Sequence, residues 1–195
     1  MPDARVKTAS RSEEILAVAQ DLMQTRGYNG FSYRDIAAVI GIKSASIHYH
    51  FPTKGDLGQA VMARYCDRFS QSLESLLTTH DRAKDRLLGY ADLFRHTLVE
   101  RQRLCLCGLL AGELETVPEP VKAEVKRFFE TQHQWLTAVL NQAIASGEIK
   151  AHRDPHTWST TLLAALEGAM LVSRGCDDNQ HFEDIQQNLL DALLG

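Results

Sequence analysis

Residues 31–57, FSYRDIAAVIGIKSASIHYHFPTKGDL, leave the surrounding chain little freedom. Two short helix patterns meet at a single glycine, and a third helix begins immediately afterwards. Ser32 stands at the start of the first, where a hydroxyl can satisfy free backbone N–H groups, and Asp35 occupies the capping-box position three residues on. Ile36, Ala37 and Ile40 recur at helical spacing as its inward face. Gly41 ends it, because glycine takes a left-handed backbone at no steric cost and so permits a sharp turn. The second pattern, residues 44–51, has Ser44 as its expected cap. Ile47 and Phe51, four apart, point one way and leave Ser44, Ser46, His48, Tyr49 and His50 on the other side. A short anchored helix with hydroxyls, an aromatic ring and imidazoles on its outer side suits entry into the major groove of DNA. Pro52 and Thr53 open the third helix. Lys54 then lies in a first turn whose free N–H groups and ammonium can both face a phosphate.

The stretch resembles the DNA-binding head of the TetR family of transcriptional regulators. The residues that carry the resemblance are Ser32, Arg34, Ile36-Ala37, Gly41-Ile42, Ser44-Ala45-Ser46, Ile47, His48-Tyr49, His50-Phe51, Lys54 and Leu57, without a gap. The resemblance implies that Arg34, Ser44, Ala45, Ser46 and Tyr49 lie near bases and that Ser32, His50 and Lys54 lie on phosphates. Lys43 in the turn and His48 complete the expected contact set. His48 departs from the family pattern, since most members have a tyrosine there.

The chain has 195 residues, enough to bury a real core in one domain or two small ones. Its net charge of −4 supplies no global field toward nucleic acid. Residues 1–60 are about +1 and the remainder −5, so affinity for DNA has to come from a few well-placed cations, doubled by dimerisation. Four cysteines at 66, 105, 107 and 176 do not form a disulfide framework in a chain this long, which fits a reducing compartment. No apolar run approaches a membrane span and the start MPDARVKTAS lacks a signal-peptide core, so a cytoplasmic location is expected.

Residues 1–9 read as a loose arm on which Arg5 and Lys7 can reach a phosphate or the minor groove; a disordered tail fits them equally. Ser10 and Glu13 mark a capping box for a helix to about Arg26, with Ile15, Val18, Ala19, Leu22 and Met23 inward. No strand pattern follows. One long helix is expected over residues 54–78 with a stripe of Leu57, Val61, Tyr65, Phe69, Leu73 and Leu76, a rod joining head to body. Further helices are expected over 82–101, over a short apolar stretch closed by Pro118 and Pro120, and over 121–146. Asp154-Pro155 should start another. Gly147-Glu-Ile149, Asp154-Pro155 and Leu166-Glu-Gly168-Ala169 also resemble the family's C-terminal half. Small residues Ala164, Ala165, Gly168 and Ala169, followed by Phe182, Ile185, Leu189 and Leu193, fit two helices that pair with a second copy; they fit the core of a monomer as well. The expected architecture is all-α: a helix-turn-helix head over 1–53 and an effector-binding and dimerisation body over 54–195.

The resemblance implies a ligand cavity within the body. Candidate lining residues are Tyr65, Phe69, Phe94, Leu98, Cys105, Leu109, Phe128, Phe129, His133 and Trp135, each of which also fits plain core. On a helix, Cys105 and Cys107 would lie roughly 200 degrees apart, so a shared metal or a disulfide is not expected. Nearby Arg101 and Arg103 could favour a thiolate and hence redox sensing through Cys105 and Cys107; two small buried hydrophobes explain the pair equally. Eight histidines form no catalytic motif, and no metal or cofactor is expected. The function expected is an operator-binding repressor, homodimeric through its last two helices and released by a small-molecule or thiol-reactive effector. The alternative is an all-helical interaction module that does not bind DNA.

Overall fold

The computed structural model describes residues 10–150 and 154–194; the arm carrying Arg5 and Lys7, together with His152, lies outside them. Among the described residues there are nine α-helices and one π-helical turn, and no strand. No helix is long and apolar enough to cross a membrane.

The first three helices are α1 (Arg11–Arg26), α2 (Tyr33–Ile40) and α3 (Ser44–His50). Ser10 caps α1 by accepting the Glu13 N–H. The Asp35 carboxylate accepts from both the backbone N–H and the hydroxyl of Ser32, at 2.7 and 2.6 Å, and so fixes the entry to α2. Gly41 adopts the left-handed backbone, with φ 76°, that the turn demands. Ile15, Met23, Ile36 and Ile47 lose all solvent contact where α1, α2 and α3 meet. Leu16 joins this core, whereas Val18 is only half-buried against it. The α3 cap differs from expectation: Lys43 holds the cap position without a side-chain bond, Ser44 is the first helical residue, and the helix stops at His50.

Helix α4 (Lys54–Thr79) runs from this head into the body. Thr53 caps it reciprocally with Asp56. Helix α5 (Ala83–Arg95) is shorter than the pattern predicts. Its last turns widen into a π turn (His96–Glu100), and the chain then breaks at Gln102, a non-glycine residue held at φ 52°. Helix α6 (Leu106–Ala111) ends at Gly112, well before the prolines; Pro118 and Pro120 instead begin α7 (Glu119–Ala145). Asp154 caps α8 (Pro155–Cys176) by accepting the Thr157 N–H at 2.9 Å, and α9 (Gln180–Leu194) closes the chain.

Helix α7 lies between α4 and α8, and α9 packs on α8 and α5. Phe69 meets the rings of Tyr90, Phe94 and Phe128 edge-on, while Tyr90 stacks on Trp135 and donates to Gln132 Oε1 at 2.6 Å. Such aromatic pairs contribute about 0.5–1.5 kcal/mol each beyond their buried area.

Gly58 is where α4 touches both halves at once. A Cβ there would stand 2.8 Å from the Tyr28 ring and 2.9 Å from Val121 Cγ2, both in packed surroundings. Gly58→Val should therefore destabilise the chain by about 1–3 kcal/mol through overpacking. The melting temperature should fall by several degrees, at roughly 2–4 °C per kcal/mol; an unchanged melt would show that this junction is loose.

Candidate nucleic-acid interface and the body behind it

Apart from His48, the outer side of α3 makes no tie to the rest of the head among the described residues. Ala45, Ser46, His48, Tyr49 and His50 are exposed, and Tyr49 is 85% accessible, an unusual state for a large aromatic side chain. Its ring stands edge-on to His50 at 5.3 Å. Lys43 and Arg34 are exposed, and Arg34 makes no ion pair among the described residues. On one flank of α3 a groove of 660 Å³ is bounded by Ser32, Arg34, Ser44, His48, Thr53 and Lys54. Residues at the starts of α2 and α4 border it together with Arg34, although the Ser32 and Thr53 N–H groups are taken by Asp35 and Asp56. Thus Ser32, Arg34, Ser44, His48 and Lys54 border this groove, whereas Ala45, Ser46, Tyr49 and His50 border a second one with Arg11, and two residues need qualification.

The first is Lys54. Its ammonium donates to the Phe31 carbonyl and lies 4.3 Å from the centre of the Phe31 ring and 5.1 Å from that of Tyr28. Burial lowers its pKa. Lys54 is thus tied inward and pins the α1–α2 loop to α4. The second is His48, which faces Tyr33 at 4.5 Å and reaches the Pro52 carbonyl through Nδ1 at 3.3 Å. Tyr33 was absent from the sequence-derived set. Its hydroxyl proton is shared between the carbonyls of Phe51 and Thr53, at 2.8 and 2.6 Å, and so holds the exit of α3. Burial, the Asp56 charge and Tyr28 push its pKa up to about 12, which keeps that proton in place.

Behind this face, residues 103–116 grip α1 and the loop after it. Arg103 pairs with Asp21 at 2.6 Å, Gln24 donates to the Leu104 carbonyl at 2.7 Å, and the Tyr28 N–H donates to Glu113 at 3.0 Å. Asn29 adds a bond to Thr116. None of these long-range pairs leaves a periodic signal in sequence.

The expected cavity-lining residues separate into three groups. Tyr65 and Phe69 line a cavity of 450 Å³ between α1, α4, α5 and the π turn. Phe129 and His133 line another, of 530 Å³, between α6, α7 and α8, with Glu167 in its wall. Phe94, Leu98, Cys105 and Phe128 are buried in the core, Leu109 is half-buried, and Trp135 packs on Tyr90. A single chamber framed by all ten does not form.

The cysteine geometry also differs from expectation. Cys105 precedes α6 instead of lying on it, so its side chain turns back toward Cys107, and both thiols are buried with Cys66 nearby. Burial raises the Cys105 pKa, but hydrogen bonds from Cys107, Glu167, the Gly108 N–H and Tyr65 outweigh it and bring the thiol down to about 6. Arg101 and Arg103 play no part in this. The Tyr65 hydroxyl lies 3.7 Å from Cys105 Sγ. Glu167 is pushed up to about 10 by burial and by Cys105, and one of its oxygens has no hydrogen-bond partner. Gly108 makes room for it: a Cβ there would stand 2.4 Å from a Glu167 carboxyl oxygen.

These geometries define a helix-turn-helix, DNA-binding transcriptional regulator. Residues 15–61 match the model described as bacterial regulatory proteins, tetR family, and residues 83–189 match the tetracyclin repressor-like, C-terminal domain. The chain belongs to the TetR family. It is 31% identical over 154 residues to the HTH-type transcriptional repressor KstR2 of Mycolicibacterium smegmatis, which covers 78% of this chain and 74% of that protein. A TetR-family transcriptional regulator from Agrobacterium tumefaciens superimposes with a TM-score of 0.90 at 32% identity, covering 94% of this chain and 97% of that one. A TetR transcriptional regulator from Legionella pneumophila does so with a TM-score of 0.88 at 31% identity, covering 96% and 99%.

The thiol and carboxyl titrations have opposite signs. Glu167, raised in the folded chain, contributes stability that is complete below its ordinary 4.5 and is lost as pH rises toward about 10. Cys105, lowered to about 6 from 9.0, contributes stability that grows between those values and offsets the loss. Above about pH 9 the carboxyl loss resumes, and below it the net slope from the pair is confined to a window of about pH 4.5–6. Glu167→Gln should remove it, gaining roughly 2 kcal/mol relative to the parent across that window. Urea denaturation at the two pH values measures this; a constant difference would show that Glu167 is ionised.

Proposed function

We propose that this regulator is a repressor that binds a near-palindromic operator as a homodimer in the cytoplasm and leaves it when an effector enters the body. The division falls near residues 53 and 54, with a DNA-binding head over 1–53 and an effector and dimerisation body over 54–195. The observation that carries the proposal is the unengaged outer face of α3 beside the exposed Arg34. Tyr49, Ser46 and Arg34 reach bases, His50 holds a phosphate and Ala45 offers a methyl contact, while Ser32, whose N–H and hydroxyl both donate to Asp35, fixes the entry of α2. Two such heads about 34 Å apart enter successive major grooves.

Support for the dimer comes from α8. Leu171 and Val172 are about half exposed, and a Cβ added at Gly168 meets nothing within 4 Å, so this side has room for a close-packed partner helix. In α9, Phe182 and Leu193 are committed to the monomer core, while Ile185 and Leu189 stay partly open.

Release follows two routes in this proposal. A small molecule fills a body cavity. A thiol-reactive compound reaches Cys105 past Gly108 and Glu167; hydrogen peroxide, for instance, takes two electrons from Cys105 and Cys107, leaving a disulfide and two waters. Either event loads the segment that grips α1, and the heads lose their spacing. An effector of this kind acts only through its preference for the released form, typically about 1–3 kcal/mol.

Gel shifts on the upstream intergenic DNA at two salt concentrations test the core of the proposal. Arg34→Ala and Tyr49→Ala should each weaken binding by about tenfold, at 1–3 kcal/mol per contact, with unchanged melting, and Arg34→Ala should reduce the salt dependence. Unaltered affinity in both variants rejects the assigned face. Cys105→Ser combined with Cys107→Ser should bind DNA normally and ignore peroxide. Persistent release in that double variant rejects the thiol route.

A further inference from the structure

We propose that the cavity between α1, α4, α5 and the π turn is selective for small amphipathic anions, and that the anion acts by drawing Arg103 away from Asp21. The proposal deepens, and rests on, the effector-released regulator described above. Tyr65, Phe69 and Leu93 give this cavity an apolar floor, and Arg68, Arg101 and Arg103 stand on its walls. The single acidic side chain lining it, Asp92, accepts from Gln186 Nε2 at 3.1 Å. Cationic charge is thus in excess where a ligand of 450 Å³ or less would sit.

The backbone at the rim is shaped to present these guanidinium groups. The π turn ends where the Arg101 N–H donates to the His96 carbonyl, five residues back, and the Arg103 N–H donates to the Thr97 carbonyl. Gln102 is held left-handed between the two arginines, both of which line the cavity, and its carbonyl is fastened by Arg174 at 2.8 Å. A widened turn followed by a non-glycine left-handed residue is the kind of local irregularity that concentrates at ligand sites. Arg101 is exposed and has no ion pair among the described residues, and Arg68 is held only loosely, 3.7 Å from Glu13. Arg103 is the exception, because its guanidinium is spent on Asp21 of α1.

An anion between Arg68 and Arg101 competes with Asp21 for Arg103. Its apolar body covers Tyr65 and Phe69, and its walls include Gln20 and Gln24 of α1. Gln24 is also the donor to the Leu104 carbonyl, so a ligand touching it bears on the second tie between α1 and residues 103–116. Binding is therefore coupled to the position of α1, the helix on which the reading head rests.

The test uses the full chain and two fluorescent dyes of similar shape, anionic 8-anilinonaphthalene-1-sulfonate and neutral N-phenyl-1-naphthylamine. The anionic dye should bind saturably and about tenfold more tightly, as expected for a charge-assisted contact. Arg101→Glu and Arg68→Glu should each erase that preference while leaving the neutral dye's affinity and the melting temperature unchanged. Asp21→Asn, which frees Arg103, should tighten the anionic dye. Equal affinity for the two dyes, absence of saturable binding, or a preference that survives both charge reversals overturns the proposal. The dye readout involves no DNA, so failure of the operator assay leaves this result standing, and intact DNA binding by the arginine variants separates the two conclusions.

Discussion

The grip of residues 103–116 on the first helix is the contact through which every functional part of the molecule meets. Arg103 on Asp21, Leu104 on Gln24 and Glu113 on the Tyr28 N–H lie along one short segment. The same segment contributes Cys105 and Cys107, begins at the strained Gln102 and ends near Gly112, where α6 turns toward α7. The ties are mostly polar, and the ion pair is half exposed, so each is individually modest. Weak, separable bonds can be rearranged by a few kcal/mol, where a wide apolar seam would not yield.

Helix α4 gives that joint its leverage. It starts beside the groove that Arg34 and His48 border, caps itself through Thr53 and Asp56, and continues for 26 residues into the body. Lys54 and Gly58 fasten its first turns to Phe31 and Tyr28. A shift of the body relative to α1 therefore cannot be absorbed by slack at the start of α4 and is passed to the helices resting on it.

Much of this was legible in the chain because helices write themselves locally. The capping of α1 and α2, the glycine at the turn and the apolar stripes of α4 and α7 all depend on neighbours within a turn or two, so periodicity recovers them. The exposed side of α3 was legible for the same reason: Ile47 fixes which way a seven-residue helix points. What escaped were features set by distant partners. Nothing near Lys54 in sequence announces that its ammonium turns toward Phe31. The widening of α5 into a π turn, the displacement of Cys105 off its helix and the meeting of Glu167 with that thiol all arise from packing between segments tens of residues apart. Cavity lining was legible only for Tyr65, Phe69, Phe129 and His133, since a stripe of aromatics reads identically whether it faces a void or another side chain.

The division of labour within the head has a consequence for its history. Ile36, Ile47 and Tyr33 hold the three helices together from inside, while Ala45, Ser46, Tyr49 and His50 hold nothing in place. On the proposed reading, exchange of the outer set changes which DNA is preferred at almost no cost to folding, whereas exchange of the inner set is punished before any new preference can appear. Such a head is free to acquire new operators one residue at a time, and the rate at which a lineage of these regulators diversifies is then limited by the availability of useful sites in the genome and not by the stability of the protein.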